Sequence, residues 1–150
     1  MQLFRRKGMA WVLTLLLGLM LLGCASDLER TKKAAEQGDA IAQDKFGTMY
    51  SRGEGVPLDY KQAAAWYSKA AEQGLASAQA NLAFMYYKGE GIPKDEVKAY
   101  VWLSLAAAQG KSKDAEGARD LVATGLTPEQ LNQAKALATE LQGKMKKKKP

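Results

Sequence analysis

DAIAQDKFGTMYSRGEGVPLDYKQAAAWYSKAAEQG, residues 39–74, is followed without a gap by LASAQANLAFMYYKGEGIPKDEVKAYVWLSLAAAQG, residues 75–110. Laid over each other in a register of 36, the two stretches agree at seventeen positions. Self-similarity at a period between 20 and 50 residues marks a chain of stacked supersecondary units. The shared positions carry the punctuation of such a unit. Gly53-Glu54-Gly55 matches Gly89-Glu90-Gly91, Pro57 matches Pro93, Asp59 matches Asp95, and Gln73-Gly74 matches Gln109-Gly110.

Each unit reads as two helices. Ala42, Phe46, Met49 and Tyr50 recur at three- and four-residue spacing and form one apolar face. Gly53-x-Gly55-x-Pro57 then ends the helix, since glycine admits positive φ and proline cannot continue the hydrogen-bond ladder. Asp59 is placed to cap a second helix, in which Ala63, Trp66, Tyr67 and Ala70 share a face. Alanine-rich faces let such helices approach closely, with Trp66 and Trp102 filling space beside small neighbours.

Working outward, Leu28–Gly38 ends in Ala34-Ala35-Glu36-Gln37-Gly38 and matches the closing half of a unit. After Gly110 the pattern decays. Residues 111–142 read as a degenerate first helix, with Ala115, Ala118, Leu121 and Val122 on one side, and then a terminal helix. Thr127 as N-cap, Pro128 at the first helical position and Gln130 make a capping box. Leu131, Ala134, Leu137, Ala138 and Leu141 give that helix an apolar stripe suited to closing the open end of a stack. Residues 143–150, with five lysines, are expected to be disordered.

The remaining segment is the first one. Arg5-Arg6-Lys7 precedes an apolar run of fourteen residues, Met9 to Leu22. That is short of the roughly 20 residues that cross a bilayer as a helix. A basic start, a short apolar run and a small residue at its end have the anatomy of an export signal.

Composition narrows the chemistry. The 150-residue chain has no histidine and one cysteine. Ser-His-Asp and Cys-His catalysis, a disulfide framework and a paired-cysteine zinc site are therefore excluded. The net charge of +6 comes from the ends: without Arg5, Arg6, Lys7, Lys144 and Lys146 to Lys149, fourteen basic residues face sixteen acidic ones. A body of that balance is not a nucleic-acid binder. The Gly-x-Gly pairs lie between helices, with no preceding strand and no following Lys-Ser/Thr, and so read as repeat turns and not as phosphate loops. Carboxylates such as Glu54 with Asp59, or Glu90 with Asp95 and Glu96, recur because the turn recurs. No cofactor or metal is expected.

Two resemblances add to this reading. Leu21-Leu22-Gly23-Cys24 resembles the bacterial lipobox. It implies cleavage before Cys24, a lipid on its thiol and an acylated amine, with residues 1–23 removed and 24–27 as a short linker. Ala25 stands where an aspartate would resemble an inner-membrane retention signal, so an outer-membrane anchor with the body facing the periplasm is implied. The repeat itself resembles the Sel-1-like, tetratricopeptide-like family through Ala42-Gln43, Phe46-Gly47, Met49-Tyr50, Gly53-x-Gly55-Val56, Asp59, Ala63, Trp66-Tyr67 and Ala70-Ala71-x-Gln73-Gly74. The second unit departs from it at Ala83, where the family usually has glycine, and at Leu103, where it usually has tyrosine.

The implied fold is an all-α, short right-handed helical solenoid of helix-turn-helix repeats with a C-terminal capping helix. The implied function is non-catalytic protein binding, as an adaptor or assembly factor in the bacterial envelope. In that geometry the first helix of each unit lines the concave surface. Asp44, Thr48 and Arg52 then stand there in the first unit, beside Ile41, and Phe84, Tyr87 and Lys88 in the second, beside Ser77 and Ala80. Phe84 and Tyr87 break the repeat, standing where the first unit has Thr48 and Ser51, and exposed aromatics anchor interfaces. Two other readings compete. The lysine end could bind peptidoglycan or another anionic surface, or the protein could inhibit an envelope enzyme. Some cysteine-rich relatives are described as β-lactamase-like, but their paired cysteines and a Ser-x-x-Lys motif are missing here.

Overall fold

A computed structural model describes residues 27–110 and 113–148, and Cys24 with the whole export segment lies outside them. The described residues form helices and no strands. Helix α1 covers 27–36; α2 (Ala40–Arg52), α3 (Tyr60–Glu72), α4 (Ala76–Lys88), α5 (Glu96–Ala107), α6 (Lys113–Ala123) and α7 (Pro128–Lys148) follow. Packing is between neighbours: α2 on α3, α3 on α4, α4 on α5, α5 on α6. That succession is an all-α solenoid.

The repeat turns are built twice from the same parts. Asp59 Oδ1 accepts from the amides of Lys61 and Gln62 at 2.9 and 3.1 Å, and Asp95 Oδ1 from Lys98 N at 2.9 Å. Each satisfies donors that a helix start leaves open. Gly53 and Gly89 end the first helices in the left-handed region, at φ 69° and 74°. The amides of Asp59 and Asp95 reach back to the carbonyls of Tyr50 and Tyr86 at 3.0 and 2.9 Å, closing each loop onto the helix before it.

The core is mostly alanine. Ala63, Ala64, Ala70, Ala71 and Ala78 surround Tyr67, Leu82 and Met85 in one buried cluster. A second cluster joins Ala83, Ala99, Leu103 and Leu105 to Ala115, Val122, Ala134 and Ala138. Half-buried Tyr86 and Trp102 pack on both clusters and make the two units continuous. Glutamines stitch the unit junctions: Gln43 Nε2 donates to Ala35 O at 3.1 Å and Gln79 Nε2 to Ala71 O at 3.2 Å, one period apart.

The departures at Ala83 and Leu103 belong together. A Cβ on Gly47 would lie 2.8 Å from the Tyr67 ring, so tyrosine there demands glycine beneath it. In the second unit Leu103 replaces the tyrosine and Ala83 the glycine, and both are buried in one cluster.

Helix α7 begins as its capping box dictates, with Gln130 N donating to Thr127 Oγ1 at 3.2 Å and Thr127 N to Gln130 Oε1 at 2.9 Å. It lies on α5 through Ala134 and Ala138. Two expectations are corrected here. The segment after Gly143 is helical to Lys148 and not disordered. Glycine in a helix costs about 1 kcal/mol, but Met145 packs on the core and takes a hydrogen bond from Gln79 Nε2 at 3.7 Å. Glu140 and Lys144 pair at 2.6 Å one turn apart, and lysines suit the negative end of the helix dipole. The second correction concerns the apolar stripes: Leu121 is 65% exposed and Leu137 36%, because small Ala115, Ala134 and Ala138 make the close contacts.

Candidate functional site

Between α2 and α4, with α3 as its floor, a cavity of about 380 Å³ opens to solvent. Of the six positions expected on the concave surface, Thr48, Arg52, Phe84 and Lys88 line it. Phe84 is 56% exposed, and Lys88 Nζ sits 4.5 Å from its ring centre, within cation–π range. Arg52 pairs with Glu54 at 3.5 Å and Lys88 with Glu90 at 3.6 Å, the same ion pair one period apart. The groove therefore offers an aromatic face between two solvated ion pairs.

Asp44 and Tyr87 stand elsewhere. Asp44 accepts from Ser77 Oγ at 2.7 Å and from Asn81 Nδ2 at 3.0 Å, so both carboxylate oxygens tie α2 to α4. Its position holds the groove walls at their spacing. Tyr87 lies beyond the cavity lining, half exposed, with Lys94 Nζ 5.7 Å from its ring. Lys94 is bound in turn to Glu96 at 2.8 Å, and that hydrogen bond holds its ammonium above the usual lysine range.

Thr48 is only partly available. Its hydroxyl donates to Asp44 O at 3.0 Å and lies 3.1 Å from Tyr67 Oη, which also lies 3.2 Å from Ser51 Oγ. In the second unit the tyrosine is Leu103 and the two hydroxyl positions are Phe84 and Tyr87. With no phenol to satisfy, those positions are released from hydrogen bonding and carry exposed rings. The cavity also takes in Tyr60, Asn81 and Met85, which sequence reasoning did not single out, and Glu90, which it assigned to the recurring turn. Tyr60 was within its reach: it opens α3 where the second unit has Glu96, and breaks the repeat as Phe84 does.

No helix among the described residues is long and apolar enough to cross a membrane, and no metal-holding cluster of acidic residues occurs among them. Stacked helix hairpins flanking a solvated groove define a helical-repeat protein. The chain belongs to the Sel1 repeat family: that family's model matches residues 31–39, 40–75 and 76–111. The matched units sit one residue later than the register of 39–74 and 75–110. Proteins of this repeat class are typically non-catalytic and generally mediate protein–protein interaction.

Two solved structures are similar to this chain. A protective antigen present in uropathogenic Escherichia coli strains, displaying an SLR fold, is 37% identical with a TM-score of 0.72 over 82% of this chain. A Sel1 repeat protein from Oxalobacter formigenes is 42% identical with a TM-score of 0.56 over 58%. The chain spans 28% and 25% of those two proteins. No curated protein sequence matches it.

Proposed function

We propose that the protein is a non-catalytic, lipid-anchored adaptor of the bacterial cell envelope that holds a segment of a partner protein in the α2/α4 groove. The observation that carries this reading is Phe84. A large aromatic more than half exposed, at the mouth of a cavity of about 380 Å³, has an unmet demand for apolar contact. The shortness of the groove suits a peptide or loop. The anchor rests on Leu21-Leu22-Gly23-Cys24 after a basic start and a short apolar run. Lipid on Cys24 would tether the body to the outer membrane, facing the periplasm.

The test is cross-linking in the native envelope, comparing the unaltered protein with Phe84→Ala, and with Tyr87→Ala as a control outside the cavity. Capture of a small set of partners lost in Phe84→Ala alone, at unchanged helicity, is the expected result. Capture that survives Phe84→Ala but disappears at high salt would move binding to the lysine end. That second reading is favoured by one observation. Lys144, Lys146 and Lys147 project from an ordered helix, which concentrates their charge for peptidoglycan or another anionic surface. Incorporation of radiolabelled palmitate into Cys24→Ser as into the unaltered protein would refute the anchor independently of the groove.

A further inference from the structure

Away from the groove, where α7 runs beside α5, a second cavity of about 260 Å³ opens among α5, α6 and α7. Two cations line it, Arg119 from α6 and Lys135 from α7, and no carboxylate does. This is a local excess in a body that carries more acid than base. Asp120 lies next to Arg119 and takes its Nε and Nη2 through one oxygen, at 2.9 and 2.7 Å. Nη1 makes no hydrogen bond among the described residues, and Lys135 no ion pair among them.

The cavity also carries the hydroxyls of Ser104 and Thr139, whose protons are already spent, beside the Tyr100 phenol and the Gln142 amide. Ser104 Oγ donates to Tyr100 O at 2.8 Å, and Thr139 Oγ1 to Lys135 O at 2.9 Å. A hydroxyl has one hydrogen to give, so each offers the cavity lone pairs only. Cations and acceptors side by side call for a ligand that bears an anion close to an N–H. A phosphate or sulfate would satisfy the cations and leave the acceptors facing more oxygen. Leu105, Ala108 and Ala138 form the apolar wall, with room for a small aliphatic side chain. Ligand pockets for drug-sized molecules occupy about 300–1,000 Å³, so this one suits one or two residues.

We propose that this cavity binds the C-terminal residue of a peptide, its carboxylate on Arg119 and Lys135 and its backbone N–H on Ser104 or Thr139. The site is formed by the non-repeating end of the chain and is independent of the α2/α4 groove, so either can fail without the other.

The experiment is calorimetric titration of the full chain in detergent with N-acetyl-alanyl-alanine, with the same dipeptide as its C-terminal amide, with free alanine and with inorganic phosphate. The free acid should bind, with the amide weaker by about tenfold or more, as loss of a charge-assisted contact implies. Lys135→Gln should weaken the acid by a similar factor at unchanged helicity, while Phe84→Ala leaves it unaffected. Free alanine binding as tightly as the capped dipeptide would keep the recognised chemistry and change its source to a free amino acid. Equal affinity for acid and amide, no binding of the acid at millimolar concentration, or phosphate binding as tightly as the acid would overturn the proposal.

Discussion

Gly55 and Gly91 are the same residue of the repeat, at nearly the same φ of 75° and 73°, yet replacing each with alanine should have different consequences. The conformational cost is shared: about 1–2 kcal/mol for a left-handed residue with a Cβ, reduced by about 0.4–1 kcal/mol through the stiffer unfolded chain. The surroundings are not shared. A Cβ on Gly55 meets only Met49 Cε at 3.6 Å, ordinary contact. On Gly91 it would run into the carbonyl group of Tyr60 and lie 2.7 Å from Lys61 N, the backbone at the start of α3. Backbone cannot rotate away as a side chain can, and overpacking of this kind costs about 1–3 kcal/mol. Gly55→Ala should therefore lose about 1 kcal/mol and Gly91→Ala about 1–3 kcal/mol more. Urea unfolding followed by circular dichroism reads both, provided the m-values agree. Equal losses at the two positions would refute the claim that the second turn is seated on α3. Because Tyr60 and Glu90 line the groove beside that contact, Gly91→Ala should also weaken partner capture.

Three further outcomes follow from the same structure. Gly47→Ala should destabilise by about 1–3 kcal/mol through the Tyr67 ring, and Tyr67→Leu in the same chain should recover part of that loss; a double-mutant cycle with no favourable coupling would contradict it. Asp44→Ala should cost about 1 kcal/mol, chiefly through the part-buried Asn81 amide, since the exposed Ser77 hydroxyl can turn to water, and thermal unfolding checks it. The Glu140 carboxyl is held below its ordinary range by its hydrogen bond from Lys144. Its contribution to the end of α7 is therefore present above the ordinary carboxylate range and lost as pH falls through the lowered value. Protection factors of the Lys144–Lys147 amides, taken relative to intrinsic exchange at each pH, should fall in acid, and Glu140→Gln should remove that dependence.

Much of the fold is legible in the residues because a repeat states its rules twice. Two copies of Gly-x-Gly-x-Pro followed by aspartate place both turns, and Thr127 with Gln130 places the start of α7. Features made by contact across units are less so. Asp44 looks like a free surface carboxylate in a helix pattern, yet its partners are 33 and 37 residues away on α4. The lysine-rich end reads as disordered by composition, whereas Met145 and the Glu140–Lys144 pair accompany a helix that runs to Lys148. Leu121 and Leu137 lie on apolar stripes that the close alanine contacts leave turned outward. Within the groove, the search for aromatics that break the repeat finds Phe84 and would have found Tyr60. It also selects Tyr87, which breaks the repeat for the same reason and stands outside the cavity. The α5/α6/α7 cavity has no signature at all, since its residues meet only when α7 lies down on α5.

The most direct measurement is site-specific photo-cross-linking in the intact cell, with the photoreactive residue placed at position 84 and, separately, at position 121. Both are exposed apolar positions, Phe84 in the groove and Leu121 on α6 outside it. A groove-binding adaptor predicts discrete protein adducts from position 84 and none of them from position 121. The same adducts from both positions, or none from position 84, would contradict it.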